Sequence, residues 1–545
     1  MTSPDGSSPL PGPAGPTTDA GASPSPARPP ADQGWGNSAP ILTRRQAAMI
    51  LAGIFLGILM GALDNLVVVT TLPQIVTDLH NTSALSFVVS AYLIASTVAT
   101  PIFGKLSDHY SRRDFFIVGL VIFIIGSLLA GVAQTLPELI AFRAIQGFGS
   151  GAFFPVGLAI IAVQFSPETR ARLTGAFSSI FGIATIVGPF LGSYIVDHTT
   201  WRWVFYVNLP IGFAAIFIVR AAMGPLRPLH PKRFDTAGAG LLSGWVAAFM
   251  LALVLNSDQG WAWTDARIVG LLAATIVLFV AFVFWELRTE EPVVPLRFFK
   301  QRVVAASSAI AFFRGGLLFS FSTFISIFVA FILLGNADTV RDVLWWLVIP
   351  MILGSAIGGT LMTRLPYRTL LVVGTGLASL GAYFTSTIGP STPLWTFTDG
   401  FLLTGGIVLF LVPLGFGIGM TFAPTAVAVQ YAVPPKDIGA ASSLVQFLSS
   451  LGGAVAVSLL SSYEQARFLA LDPAPAGVSC AVPPVFPFPA GCNGFYSLLR
   501  SSTATAYTET FLLLFGIALA AFVAALFVTG RLPRSRAPGA TAPAE

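Results

Sequence analysis

The stretch GILMGALDNLVVVTTLPQI, residues 57–75, sets one acid, Asp64, in an otherwise apolar run. Followed outward, the run covers 46–73, more than the roughly 20 residues that cross about 30 Å of hydrocarbon at about 1.5 Å per residue. Further runs of this kind follow at 86–104, 115–134, 138–163, 172–196, 203–222, 236–256, 268–287, 303–334, 343–363, 369–389, 402–431, 439–462 and 509–529. With 54% hydrophobic and 10% charged residues over 545 positions, a soluble domain could not bury its apolar surface. The chain therefore reads as an all-α polytopic membrane protein, since an open sheet edge has no hydrogen-bond partners in lipid. The segment 303–334 is long enough to hold a break or a strong tilt.

Orientation follows from charge. In an alternating assignment most of the 29 Lys and Arg fall on one side, among them Arg44, Lys105, Arg112, Arg113, Arg170, Lys300, Arg364 and Arg531. That side is expected to be cytoplasmic, which places both termini there. The net charge of +5 reflects the same bias, and no basic patch with interleaved aromatics points to nucleic acid. Residues 1–40, rich in Pro, Gly, Ser and Ala, read as a disordered tail rather than a cleaved signal. The long external loop expected at 463–508 holds both cysteines, Cys480 and Cys492, which read as a disulfide in preference to two free thiols.

The spacing of spans suggests two halves separated by the pair 236–256 and 268–287, a duplication common in secondary transporters. The expected boundaries are a tail at 1–45, a six-helix bundle at 46–222, an inserted helix pair with its linkers at 223–302, a second six-helix bundle at 303–530 and a tail at 531–545. A faint internal echo agrees. GKLSDHYSRR, residues 104–113, follows the second span, and GGTLMTRLPYR, residues 358–368, follows the tenth.

GKLSDHYSRR also resembles the loop signature of the major facilitator superfamily, in which a glycine, an acid four residues later and a basic pair recur between the second and third helices. LDNLVVVTTLP (63–73) resembles the first-helix signature of the fourteen-span drug:proton antiporter branch. LIAFRAIQGFGSG (139–151) resembles its fourth-helix arginine motif, GPFLGS (188–193) its fifth-helix antiporter motif, and WRWVFYVNLPIG (201–212) its entry to helix six. His109, Ser111 and Ser193 depart from the usual residues, and all the specific motifs lie in the first half. The resemblance implies a major facilitator fold with 14 transmembrane helices, two six-helix bundles plus an inserted pair. It further implies a monomeric multidrug exporter of a plasma or bacterial inner membrane, needing no cofactor and driven by the proton gradient. Its partners are then a small-molecule substrate, protons and the bilayer.

Asp64 carries the chemistry of this reading. Ionising it in hydrocarbon costs at least several kcal/mol, so it must be protonated, paired or wet. A conformational change that altered its burial or its distance from a cation would load or release a proton. The candidate cation is Arg143, which cannot discharge and needs a carboxylate, a polar pocket or water. Gln146, three residues on, shares its face. The resemblance implies that Arg143 takes part in proton coupling, while contact between Arg143 and Asp64 stays open, as does snorkelling of Arg143 to an interface. Asp64, Gln146 and Arg314 are candidates for the substrate cavity. Arg314 faces either a water-filled cavity or carbonyls freed by a backbone break that Gly315 and Gly316 invite.

Gly104, Asp108, Arg112 and Arg113 form a tight turn in which Asp108 can accept bonds from Arg112, Arg113 or a neighbouring helix terminus. The bland reading is charge topology alone, and the resemblance favours a conformational latch. Gly147, Gly188 and Gly192 permit close helix approach, and Pro189 removes a backbone bond.

The pair Gly104 and Lys105 is followed by Leu106, so there is no GxxxxGK[ST] phosphate loop and ATP-driven pumping is unsupported. His80, His109, His198 and His230 lie in connections without metal-ligand spacing, which argues against a membrane metalloenzyme. The expected activity is proton-coupled export of bulky, lipophilic, often cationic compounds, with 46 Phe available to line a drug cavity. Two alternatives remain: export of an endogenous metabolite, lipid or antibiotic (or nutrient import) on the same fold, and a non-transporting receptor or scaffold.

Overall fold

A computed structural model of the chain describes residues 43–79, 86–224, 234–257, 261–333, 337–389, 406–471 and 493–530. All lie in one compact unit, Pro40–Glu545; a second unit, Met1–Ala39, is outside the described residues. Cys480 and Cys492, with their expected disulfide, also fall outside, as do most of the two expected tails.

The described residues form helices α1 (Arg44–Leu79), α2 (Ser86–His109), α3 (Arg112–Val132), α4 (Leu136–Ser150), α5 (Phe153–Gln164), α6 (Pro167–His198), α7 (Trp203–Tyr206), α8 (Asn208–Ala222), α9 (Thr236–Ser257) and α10 (Ala266–Glu286). They continue as α11 (Arg302–Ile327), α12 (Ala337–Leu361), α13 (Tyr367–Thr385), α14 (Ile407–Met420), α15 (Phe422–Ala432), α16 (Ile438–Leu471) and α17 (Asn493–Leu526), with no strand among the described residues. Every expected span overlaps a helix. Among the described residues, twelve helical segments are long and apolar enough to cross a membrane, and α6 makes a thirteenth if its two arms count as one span. Only α13 stands outside that set. Its 19 residues include Tyr367, Arg368 and several small polar residues, which lower its mean hydropathy.

Local chemistry marks the ends. At the start of α4, Thr135 and Glu138 form a reciprocal capping box, the Thr135 hydroxyl accepting from Glu138 N–H at 3.4 Å and Glu138 Oε2 from Thr135 N–H at 3.3 Å. In α6, the arms Pro167–Thr185 and Phe190–His198 meet at 41°. The interval contains Gly188 and Pro189, where proline removes an intrahelical bond. The side chain of Pro189 is outside the described residues.

In the first half α1 packs on α6 and α8, and α4 on α2 and α3; in the second, α11 packs on α16 and α17, α12 on α14, and α13 on α14 and α17. The halves meet where α2 lies on α16 and α6 on α12. The inserted helices α9 and α10 pack on each other, with α9 against α2 and α16. α10 turns most of its surface outward, exposing Ile276, Val277 and Val280, as suits a lipid-facing helix. The end of the bundle carrying Arg44, Lys105, Arg112, Arg170 and Arg302 is called the basic end below.

Two expectations are corrected. α11 is not broken at Gly315 and Gly316; it runs continuously from Arg302 to Ile327 and only then loosens into a π turn, Phe328–Ile332. The glycines serve proximity instead, because a Cβ on Gly315 would meet the Ser449 carbonyl carbon at 2.6 Å and one on Gly316 the Ala456 Cβ at 3.0 Å. The external loop expected at 463–508 is helical over 463–471 and 493–508. There Arg467 grips Glu509 with two bonds of 2.5 and 2.6 Å, and the Tyr463 hydroxyl donates to the same carboxylate at 2.9 Å, tying α16 to α17. Polar sequence outside the hydrocarbon continues these helices, so hydropathy underestimated their length.

Candidate functional site

Asp64 of α1 is buried, its side chain wholly shielded, and the described polar side chains that reach it come from two other helices, α4 and α8. Arg143 Nη1 on α4 lies 2.5 Å from Asp64 Oδ2. Gln146 Nε2 and Asn208 Nδ2 each donate to Asp64 Oδ1 at 2.8 Å. Both amides also donate to the Ser127 hydroxyl, at 3.0 and 3.1 Å, which in turn donates a hydrogen bond to the Phe205 carbonyl at 2.8 Å. Gln146 Oε1 accepts from Arg143 Nη1 at 2.7 Å. The carboxylate thus accepts three bonds inside a shell of protein groups, the arrangement that lets an ionised pair persist in a low dielectric. Arg143 does not snorkel; its side chain is fully shielded.

Glycine permits this density of polar groups. A Cβ on Gly147 would meet the Tyr92 Cα at 2.8 Å, and one on Gly126 would meet the Gln146 Cα at 2.6 Å, so α4 presses against α2 and α3 at backbone distance. Gly188 plays the same part between α6 and α1, where a Cβ would meet the Leu66 Cβ at 2.7 Å, and Gly192 is buried on α6.

A cavity of about 240 Å³ opens between the halves, lined from α1, α2, α4, α5, α6, α11, α12 and α16. Of the three expected cavity residues, Asp64, Gln146 and Arg314, none is in its wall in this conformation. Tyr92 is. Its ring centroid is 4.3 Å from the Arg143 guanidinium carbon, and its hydroxyl donates to the Gly61 carbonyl at 3.0 Å, so it separates the cavity from the acid pair. Arg314 lies instead beside a void of about 10 Å³. It is buried, donates to Thr425 Oγ1 at 2.8 Å and to the Thr421 carbonyl at 3.5 Å, and stands 4.0 Å from the Phe422 ring centroid. The carbonyl it reaches is at a helix break, as expected, but the break is between α14 and α15. No carboxylate pairs with it among the described residues.

At the basic end Asp108 holds three groups. Its Oδ1 accepts from Arg112 Nη2 and from Gly439 N–H, and its Oδ2 from Ala440 N–H, each at 2.8 Å. Gly439 and Ala440 begin α16, whose first N–H groups have no partners in their own helix, so a carboxylate of the first half caps a helix of the second. Gly104 allows the approach, for a Cβ there would fall 2.8 Å from the Gly439 carbonyl oxygen. Arg112 also donates to the Pro435 carbonyl at 3.3 Å. Arg113 does not join Asp108; it binds Asp114 at 2.7 Å and the Met223 carbonyl at 2.8 Å. Lys105 reaches Glu291 at 3.0 Å, on the strand of chain leading back from the inserted pair. Further bonds between the halves, Ser355 Oγ to the Gly175 carbonyl at 2.8 Å and Ser179 Oγ to the Ile352 carbonyl at 3.3 Å, lie in the half of the bundle nearer the basic end.

Asn208, Ser127 and Tyr92 were missed as site residues in the sequence. Asn208 and Ser127 left a usable signal, a single polar side chain in an apolar run, as Asp64 did; Tyr92 left none.

The sequence pattern described as the Major Facilitator Superfamily matches residues 54–457. The chain is 34% identical over 425 residues to "Multidrug resistance protein 3" of Bacillus subtilis, covering 77% of this chain and 81% of that protein. It is 28% identical over 515 residues to the "Tetracenomycin C resistance and export protein" of Streptomyces glaucescens, covering 90% and 93%. Among solved structures, the human organic anion transporter MFSD10 (TETRAN) superposes with a TM-score of 0.54 at 13% identity over 86% of this chain and 99% of that one. The proton:xylose symporter XylE gives 0.52 at 14%, over 86% and 94%.

Proposed function

We propose that this chain, which belongs to the major facilitator superfamily, exports lipophilic compounds in exchange for protons by alternating access. The observation that carries the reading is the closed Asp64–Arg143 pair, one residue thickness from the central cavity. Asp64 is the proton site. Protonation frees Arg143 from its one carboxylate partner among the described residues, and the altered charge biases the helices around the cavity toward their other arrangement. The bundles 46–222 and 303–530 rock about the cavity, with 223–302 carried between them. Cap and crossing contacts at the basic end hold that end shut, so Gly104, Asp108 and Arg112 act as the latch, and the cavity belongs to the state facing the opposite side.

The positive-inside bias makes the basic end cytoplasmic in a plasma or bacterial inner membrane. The chain works as a monomer. The name of the Bacillus relative supports a broad range of cargo, and the apolar and aromatic walls of the cavity support lipophilic members of it. The name of the Streptomyces relative, a resistance and export protein for one compound, favours a second reading, export of a single metabolite or antibiotic. The experiment is reconstitution in vesicles with an imposed pH gradient: cargo accumulates against its own gradient, and nigericin, which collapses the pH difference, stops it. Accumulation that survives nigericin and a clamped potential removes the proton from the mechanism.

A further inference from the structure

The walls of the central cavity are apolar faces such as Phe153, Phe154, Phe319, Val348 and Met351, interrupted by neutral polar side chains. None of the described lining residues is an acid, a lysine, an arginine or a histidine. The nearest buried charges are already committed, because all three bonds to Asp64 come from within its own shell. Tyr92, whose face could attract a cation, has Arg143 against it. An ion entering such a site gives up its hydration and gains no counter-charge.

Hydrogen-bond donors are also scarce there. The hydroxyls of Ser96, Thr100, Ser150 and Ser322 donate to carbonyls of their own helices at 3.0, 2.7, 2.8 and 2.8 Å, and Tyr92 donates to Gly61. Each has only lone pairs left to offer. Gln446 and Ser450, one turn apart on α16, also line the cavity and have no side-chain bond among the described residues. The Gln446 amide brings two N–H donors and one acceptor.

We infer that the cavity takes uncharged, ring-built compounds bearing carbonyl, ether or hydroxyl oxygens, and that Gln446 is the side chain that recognises those oxygens. This rests on the reading of the cavity as the cargo site, and narrows the expected cargo from often cationic to neutral. Ring faces supply area for flat cargo, while the amide rejects a ring system without an acceptor, because its N–H groups then stay dry and unpaired.

Three probes of equal ring count test it on the full chain in nanodiscs, with binding to empty nanodiscs subtracted: 9,10-anthraquinone, neutral with two carbonyl acceptors; anthracene, neutral with none; and 10-methylacridinium, a permanent cation. Anthraquinone is expected to bind about tenfold tighter than anthracene, and methylacridinium most weakly. Gln446→Leu should erase the difference between the neutral probes, and Gln446→Glu should raise methylacridinium to the top. Methylacridinium binding as well as anthraquinone in the parent overturns the charge class, and an anthraquinone preference that outlasts Gln446→Leu overturns the role of Gln446. In either case, loss of all binding on Ser322→Trp, which fills the cavity, leaves the cavity as cargo site intact. Binding that survives Ser322→Trp places the probes elsewhere, and then both the proposal and the reading beneath it fail.

Discussion

Asp64 and Arg314 sit on the first membrane helix of their respective halves, α1 and α11, and each points to the fourth span, which is interrupted in both: α4 and α5 around Gly151, α14 and α15 at Thr421. There the likeness ends. Asp64 meets Arg143 inside a shell completed by Gln146, Asn208 and Ser127. Arg314 meets a threonine hydroxyl, a backbone carbonyl and a phenyl face. One half therefore holds a charge that a proton can cancel, whereas the other holds a fixed charge that no event within the described residues can neutralise. The comparison teaches that the two halves share a scaffold, two helices and a break, without sharing the chemistry placed on it.

The strongest way to break the comparison is to remove the titratable member. Asp64→Asn is expected to abolish accumulation of cargo in vesicles with an imposed pH gradient, while Asp64→Glu retains part of it. The amide also leaves Arg143 buried without an anion, at a cost of about 3–5 kcal/mol, so the melting temperature should fall. Asp64→Asn combined with Arg143→Gln should recover most of that stability and none of the accumulation. Recovery of transport in the double variant, or parent-like accumulation in Asp64→Asn, assigns coupling to another group.

The next effect follows from counting charge. With Asp64 as the one exchanging carboxylate and neutral cargo, each cycle carries one charge inward, and the membrane potential contributes about 2.3 kcal/mol per 100 mV, roughly fiftyfold in accumulation. Clamping the potential with valinomycin and potassium should remove that factor for a neutral probe and leave export of a monovalent cation nearly unchanged. Equal slowing of both means that more than one proton returns per cycle, and the second half then holds a titrating site after all.

Much of this asymmetry was legible before any coordinates. A charge in an apolar run announces itself, so Asp64, Arg143 and Arg314 stood out, and the basic turn around Asp108 was recognisable by its glycine, acid and arginines. Pairing was not legible. Arg143 and Asp64 are 79 residues apart, and nothing in one sequence sets the rotation of α4 against α1. The same ignorance misplaced the cavity, because Asp64 and Gln146 are polar and central yet face each other behind Tyr92. Glycine pairs are ambiguous by nature. Gly315 and Gly316 can break a helix or admit a neighbour, and only the presence of Ser449 and Ala456 opposite them decides for the second.

A smaller effect is expected at the latch, which joins the unlike halves without belonging to either charge centre. Asp108→Asn keeps one acceptor oxygen for the start of α16 but loses the negative charge that faces both Arg112 and the helix dipole, the dipole share alone being worth about 0.3–1 kcal/mol near a surface and up to about 2 when partly buried. Turnover should fall several-fold with cargo affinity within about twofold, since the change shifts conformational populations and leaves the cavity wall alone. A fall in affinity with turnover intact would make Asp108 part of the binding site.

The smallest effect is predicted where a buried charge would ordinarily promise the largest. Arg314→Gln shortens the side chain, keeps a neutral N–H donor, and removes a positive charge that no described carboxylate offsets. Removing an uncompensated buried charge is neutral or stabilising as often as not, because its desolvation cost goes with it. The melting temperature of Arg314→Gln should therefore match or exceed that of the parent, and cargo accumulation at a fixed pH gradient should stay within about twofold, or roughly 0.4 kcal/mol. Asp64→Asn fails both measures, so the pair of variants separates a coupling charge from a merely buried one. Loss of accumulation in Arg314→Gln with the protein still inserted and stable would show that the fixed charge sets the energy of the proton on Asp64 from across the cavity. The two halves would then form one electrostatic unit, and their contrast would be the coupling device itself.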